Sequence, residues 1–122
     1  MKKLLLVLTV LSLVGCVSDP SAIEVSNANY GAMPNKASLE ADIKAYQEGR
    51  LKDPYSAKYN FSELHKGWCK FSGRVNYGWI VDYTLNAKNG FGGYVGEKPQ
   101  FVFVKDGRMY HPEYFLRGNC SK

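Results

Sequence analysis

The sequence predicts an α+β fold: one N-terminal helix packed on a small antiparallel sheet of four to five strands, in a single domain. Three observations carry that expectation. Leu39, Ile43 and Tyr46 recur at i, i+4 and i+7, which gives one narrow apolar helix face. Trp79, Val81, Tyr83 and Leu85 alternate with residues that end in Asp82, Thr84 and Asn86, the period of a strand buried on one side. Phe101 to Val104 is apolar on both faces and is followed by Asp106-Gly107, a tight-turn pair that returns the chain through Arg108-Met109-Tyr110.

The helix is expected from about Ser38 to Glu48. Ser38 is placed to cap it, Glu40 and Asp42 put negative charge in its first turn, and Gly49 is placed to end it. Leu51-Lys52-Asp53-Pro54 interrupts the pattern. Asp53 is placed as a cap and Pro54 fits the first position of a short helical turn running to Ala57. Strands follow: Tyr59 to Leu64 alternates weakly, Trp68 to Ser72 is short and aromatic, and Tyr77 to Ala87 is the clearest. No internal repeat is present.

The N-terminus has a different layout. Lys2 and Lys3 precede an apolar run from Leu4 to Val14, too short for a spanning helix of about 20 residues. This is the pattern of a secretory signal, which is excluded from the fold. An ordinary signal with an incidental cysteine would share the charge and the run. The site at its end favours a narrower reading, because Leu13-Val14-Gly15-Cys16 resembles the lipobox of bacterial lipoproteins. That resemblance implies cleavage before Cys16, a diacylglycerol thioether on its sulfur and acylation of the new amine. Each buried methylene contributes about 0.8 kcal/mol, so several chains anchor a protein durably. Val17, rather than aspartate, follows the cysteine; by resemblance to sorted lipoproteins of two-membrane bacteria this implies the outer membrane, most simply on its periplasmic side. The expected organisation is therefore a signal peptide over 1–15, a flexible tether from lipidated Cys16 over 16–34, rich in Ser, Asn, Ala and Asp, in which Tyr30 and Met33 are placed to touch the domain, and the α+β domain over 35–122.

Cleavage would leave 107 of the 122 residues, enough for one modest core. It would also lower the formal charge from +5 to +3 by removing Lys2 and Lys3. Lys and Arg alternate with Asp and Glu along the chain, so no clustered basic stripe points to nucleic acid. With Cys16 assigned to lipid, Cys69 and Cys120 remain, and an oxidising compartment favours one bridge between them over two free thiols.

Candidate sites are few. From Asn86 to Gly96 four glycines fall in eleven residues, with Phe91 and Tyr94 among them. Asn89-Gly90 favours a turn. Asn89, Phe91 and Tyr94 form a candidate partner-binding loop; the other reading folds both aromatics back over the sheet edge. The loop has neither the Gly-Lys-Ser/Thr ending nor the GxGxxG spacing of a phosphate loop. Taken with Asp53-Pro54-Tyr55-Ser56-Ala57-Lys58, the run Asn86-Ala87-Lys88-Asn89-Gly90-Phe91-Gly92-Gly93-Tyr94 resembles a family of small, mostly uncharacterised proteobacterial proteins, many of them lipoproteins. The resemblance spans about Leu51 to Arg108 and implies no activity. Asp82-Tyr83 stands where that family pattern has Cys-Gly.

Cys69 with His65 and His111 has the residue types of a thiol peptidase, and some cell-wall peptidases are lipoproteins with a Cys-His-His site. Those carry the cysteine in an Asp-Cys-Ser-Gly run, whereas this chain has Trp68-Cys69-Lys70-Phe71, and a bridge to Cys120 would remove the thiolate. His65, Cys69 and His111 also lack dense metal-ligand spacing. The expectation is a non-enzymatic protein without metal or cofactor, attached to the membrane by its lipid and binding a protein partner in the envelope as an accessory module of a secretion or assembly complex. An inhibitor of lysozyme, or a phage or surface exclusion lipoprotein, is the alternative. Ser72-Gly73 followed by Tyr77 resembles, at a different spacing, the Ser-Gly loop of periplasmic lysozyme inhibitors.

The anchoring expectation has a direct test. Cys16→Ser should abolish incorporation of a fatty-acid probe and move the protein out of the outer-membrane fraction; unchanged label and fractionation would refute it.

Overall fold

A computed structural model describes residues 17–115 and 119–122. The expected signal peptide and Cys16 lie outside the described residues. The sheet is built around β3 (Arg74–Asn86), which pairs along both edges. On one edge lies β4 (Lys98–Lys105), antiparallel from Trp79↔Val104 to Leu85↔Lys98, and β5 (Arg108–Tyr110) continues beyond it. The other edge is shared by β1 (Lys58–Phe61), opposite the C-terminal part of β3, and β2 (His65–Phe71), opposite its N-terminal part. An α+β domain with a curled antiparallel sheet is thus what the sequence forms.

The break between β1 and β2 is a bulge. Phe61 faces Tyr83 and His65 faces Ile80, so three residues, Ser62 to Leu64, oppose only Val81 and Asp82. Ser62 bridges the gap: its N–H and its hydroxyl both donate to the Asp82 carbonyl (2.8 and 2.9 Å), and Asp82 N–H donates to the same hydroxyl (3.2 Å). The extra residue changes which side chains face which side. Tyr59 and Phe61 share a face with Leu85 and Tyr83, and after the bulge it is Lys66 and Trp68 that share that face. The weak alternation of Tyr59 to Leu64 has this cause.

Both hairpins at the opposite end of β3 turn on two residues with positive φ. They are Ser72 and Gly73 (54° and 71°) between β2 and β3, and Asp106 and Gly107 (50° and 77°) between β4 and β5. Positive φ at both central positions is the type I′ geometry that matches strand twist. Asp106-Gly107 turns as expected, whereas Ser72, expected as the end of a strand, belongs to a turn.

Each face of the sheet has its own core. On one, Val81, Tyr83, Leu85, Val102 and Val104 are buried beneath Leu39 and Ile43 of α2 (Lys36–Glu48). Gln47, also on α2, donates to the Tyr83 hydroxyl at 2.9 Å. The helix begins two residues earlier than the sequence predicts, and its cap lies three earlier, at Asn35, whose side chain accepts from the Ser38 N–H (3.0 Å). Ser38 therefore supplies the backbone donor, not the capping oxygen. On the other face, Cys69, Ile80 and Phe103 are buried against Phe71, Tyr110 and Phe115. Gly67 and Gly78 face each other there. A Cβ on Gly78 would meet the Val104 carbonyl and the Phe103 ring, and one on Gly67 would meet Ile80 and Ser121, so the close packing needs both glycines.

The C-terminal segment closes this face. Cys120 is bonded to Cys69, Lys70 N–H donates to Asn119 (2.7 Å) and Ser121 N–H donates to Trp68 (2.8 Å). The outer edge of β2 is therefore covered.

The N-terminal segment closes part of the first face. α2 is not the first helix, because α1 (Ala22–Asn27) precedes it within the stretch expected as a flexible tether. Ser21 and Glu24 form a capping box: the Ser21 hydroxyl accepts from Glu24 N–H and the Glu24 carboxylate from Ser21 N–H. Beyond it Tyr30 is buried edge-on against Tyr77, and the Trp79 indole donates to the Gly31 carbonyl (3.2 Å). Asp19 meets Lys70 at 2.6 Å. Asp19, Tyr30 and Gly31 are thus the points at which this segment meets the sheet.

The Cys69–Cys120 bridge closes a loop across 51 positions, worth about 4 kcal/mol in the chain-entropy account. Cys120→Ser should lower urea-unfolding stability by about that amount. Thiol tagging of the oxidised exported protein should modify neither cysteine; full tagging before reduction would exclude the bridge.

Candidate functional site

The glycine-rich connection between β3 and β4 is an ordered continuation of the sheet end. Lys88 and Tyr94 form a bridge, Asn89 N–H donates to Gly93 (2.9 Å) and Gly92 N–H donates to Asn89 (3.1 Å). The Asn89 side chain does the rest: its oxygen accepts from Phe91 N–H (2.9 Å) and Gly93 N–H (3.2 Å), an Asx turn. Asn86 acts similarly on Gly96 N–H at 3.0 Å. Positive φ falls at Gly92 and Gly96, not at Asn89-Gly90 as the dipeptide suggests.

This loop meets the turn Pro54–Ser56, a short 3-10 segment. Ser56 is the junction. Its hydroxyl donates to the Asp53 carbonyl (2.7 Å) and accepts from Lys88 N–H (2.8 Å), while its carbonyl accepts from the Tyr94 hydroxyl (3.0 Å). The two segments quoted for the family resemblance, about thirty residues apart in sequence, are therefore one structural unit. Asp53, expected as a side-chain cap of the turn, contributes only its backbone carbonyl.

The three loop residues singled out in the sequence divide by role. Asn89 shapes the turn. Tyr94 is half-covered: its hydroxyl is engaged by Ser56, and Lys58 and Lys88 lie 4.5 and 5.5 Å from its ring. Phe91, at the tip, is 99% exposed. Tyr55, which the sequence reading passed over, is equally free at 101% and adjoins the Ser56 junction.

Beside the loop lies a shallow cleft of about 180 Å³. Leu51, Leu85, Ala87 and Val95 supply its apolar surface. Arg50, Lys52, Lys88 and Lys98 supply its charge, and none of the described residues lining it is acidic. Sequence reading missed this rim, because its cations come from two segments separated by more than thirty residues and look dispersed along the chain. The arrangement suits recognition of an anionic group beside an apolar one.

The residues considered for catalysis are not gathered into one site. Cys69 is fully buried and bonded to Cys120. His65 lies on an exposed edge, 3.9 Å from Asp82. His111 is buried, stacked on Tyr46 with ring centroids 3.4 Å apart. Tyr46 also donates to Glu113, which meets Arg50 at 3.5 Å. Among the described residues no group of three or more His, Cys, Asp or Glu is placed to hold a metal ion. Ser72 and Gly73, behind the inhibitor reading, form the tight turn described above. No protein-family profile, curated protein or solved structure matches the chain.

Burial, and then the Arg50 charge, hold His111 below the ordinary histidine range, and its Nδ1 is buried with no hydrogen-bond partner among the described residues. The neutral ring is thus the folded form. Above the unfolded value of about 6.5 both states are neutral; as pH falls through it, the unfolded chain gains a proton that the folded one resists. Stability should therefore drop between pH 7 and pH 5, and His111→Gln should reduce that drop in denaturant titrations; an unchanged pH slope would refute the assignment.

Proposed function

We propose that this chain is a lipoprotein of the outer membrane, anchored through Cys16, that acts as a non-catalytic binding module of the cell envelope. Its docking site is the loop end of the sheet, and its partner is a protein surface that offers carboxylates beside an apolar anchor. The observation that carries the reading is the Ser56 junction. Tyr94 and Lys88 are bonded to Ser56, so the loop holds Phe91 outward on a pre-ordered backbone. An exposed aromatic on an ordered loop loses little conformational freedom when it binds, which favours an interface anchor. The basic rim supplies charge complementarity to the acidic part of such a partner.

Secretion and assembly complexes of the envelope are the setting that best joins lipid attachment to a small domain of this kind. The module reading differs from the inhibitor reading in where contact falls: the loop end, not the Ser72-Gly73 turn.

A photo-crosslinking residue at position 91 should give a discrete adduct in intact cells. Lys52→Gln with Lys98→Gln should weaken it, and the same probe at the exposed Ile23 should not give it. Phe91→Ala should shift stability by no more than about 0.5 kcal/mol, as for a surface residue. Absence of any adduct at 91, or equal adducts at 23 and 91, would refute the site. A stability loss of about 3 kcal/mol would show Phe91 to be core.

A further inference from the structure

The end of the sheet opposite the loop carries a second concavity, larger than the first, at about 600 Å³. The two type I′ turns form its lip, so its lining comes from all four strands that meet there. Arg74, Lys105 and Arg108 supply three cations, against one carboxylate, Asp106, in the β4–β5 turn. Among the described residues none of these three is in an ion pair, whereas Lys36, Arg50 and Lys70 are. Phe71, Tyr110 and Tyr114 supply an aromatic wall, and the Arg108 guanidinium lies 5.3 Å from the Tyr110 ring. Buried Asn76 underpins the site by donating to the Phe71 carbonyl (3.1 Å) and the Arg74 carbonyl (3.2 Å), which fixes the backbone that carries two of the lining residues.

The chain enters the domain at this same end. Asp19 is paired with Lys70, which stands opposite Val75 beside the β2–β3 turn, so the chain arrives at this end of the sheet on the face opposite the cavity. Three residues of chain span at most about 11 Å, so covalent connectivity keeps Cys16 close to the end where the cavity opens. A lipid on Cys16 would then place these cations at headgroup level. An anionic surface attracts juxtamembrane Lys and Arg within a Debye length, and guanidinium groups pair with phosphate in a planar fork.

From this geometry we infer that the hairpin-end cavity binds the phosphate-bearing headgroup of an anionic phospholipid, with Arg74 and Arg108 on the phosphate and the aromatic wall beside the glycerol. The choice of a lipid source rests on the anchoring of Cys16. Binding sets the orientation of the domain: hairpin end toward the bilayer, loop end away from it.

The test uses the chain begun at Val17, since all the described contacts lie beyond that residue and no acylation then contributes. It should co-sediment with vesicles containing phosphatidylglycerol and not with vesicles of phosphatidylcholine alone. Arg74→Gln with Arg108→Gln should lower retention about 30-fold, and Lys52→Gln with Lys98→Gln, at the far end, should leave it unchanged. All four side chains are on the surface, and an unchanged melting curve confirms folding of each variant. Equal binding to both vesicles, or equal loss from the two pairs of substitutions, would overturn the inference. Binding of free glycerol phosphate that depends on Arg74 and Arg108, without retention on phosphatidylglycerol vesicles, would assign the cavity to a soluble phosphate ester and overturn the lipid source. Loss of the Cys16 label in cells is read separately, so failure of the anchor and failure of the cavity remain distinct.

Discussion

Because successive residues of a strand point to opposite faces, β3 delivers Val81, Tyr83 and Leu85 to one core and Asn76, Gly78 and Ile80 to the other. Its neighbours inherit that division through register: Val102 stands opposite Val81, and Phe103 opposite Ile80. A sheet buried on both sides must be covered twice. In a chain this short, α2 covers only part of the first face, and the N-terminal segment with Tyr30 covers more of it. Among the described residues no α-helix covers the second face. It is closed by Phe115 and by the disulfide-held strand end at Cys120, which explains why a covalent link is placed there: three residues of edge pairing have too little burial to hold themselves.

The same strand separates the two ends. Thirteen residues at about 3.3 Å each make β3 roughly 40 Å long, less whatever the curl removes. The hairpin end is fixed by two tight turns and by the Asp19–Lys70 pair. The loop end is fixed by side chains standing in for a ladder, with Ser56, Asn86 and Asn89 accepting from backbone N–H groups that no strand partner reaches. Four glycines would otherwise make that connection costly to order. These polar contacts let an irregular segment hold one shape and leave its one large apolar tip in water.

Much of this was legible in sequence wherever a single local signal decided the outcome. The alternation of Trp79 to Leu85, the Asp106-Gly107 turn and the Leu39–Ile43 face all place residues by period or by φ alone. The helix start was misplaced because Asn35 and Ser38 are both good caps, and only the geometry shows which of them accepts. The bulge at Ser62 hid the parity of Tyr59 to Leu64, since one inserted residue breaks a period of two. Residues 17–34 read as tether because their composition is polar. The capping box at Ser21 and Glu24 was a local signal that could have been found; Tyr30 was expected to touch the domain and does, while its partner Tyr77 is a tertiary fact and Met33 stays exposed. The candidate site divides in the same way: Phe91 was visible as an aromatic without period, while the basic rim and the Ser56 junction depend on segments that only the fold brings together.

The docking of residues 19–31 alters what a lipid anchor at Cys16 would mean mechanically. A tether of nineteen flexible residues would have let the domain roam over a radius of about 25 Å, with no preferred face toward the membrane. With Asp19 paired to Lys70 and Tyr30 buried, the tether that such an anchor would leave is short. The two concavities then cease to be equivalent, although both are basic. Under such an anchor one would be confined near the attachment and would meet the bilayer surface, and the other would be carried some tens of ångströms outward on β3. A charged groove close to the anchor is pre-concentrated against headgroups by its own attachment, so modest intrinsic affinity suffices there. The outer groove would gain nothing from that attachment and would need a specific anchor, and exposed Phe91 beside the Lys52 and Lys98 rim is the one proposed for it. On this proposal it is the difference in surroundings, rather than in charge, that would separate a seat on a membrane from a site for a partner.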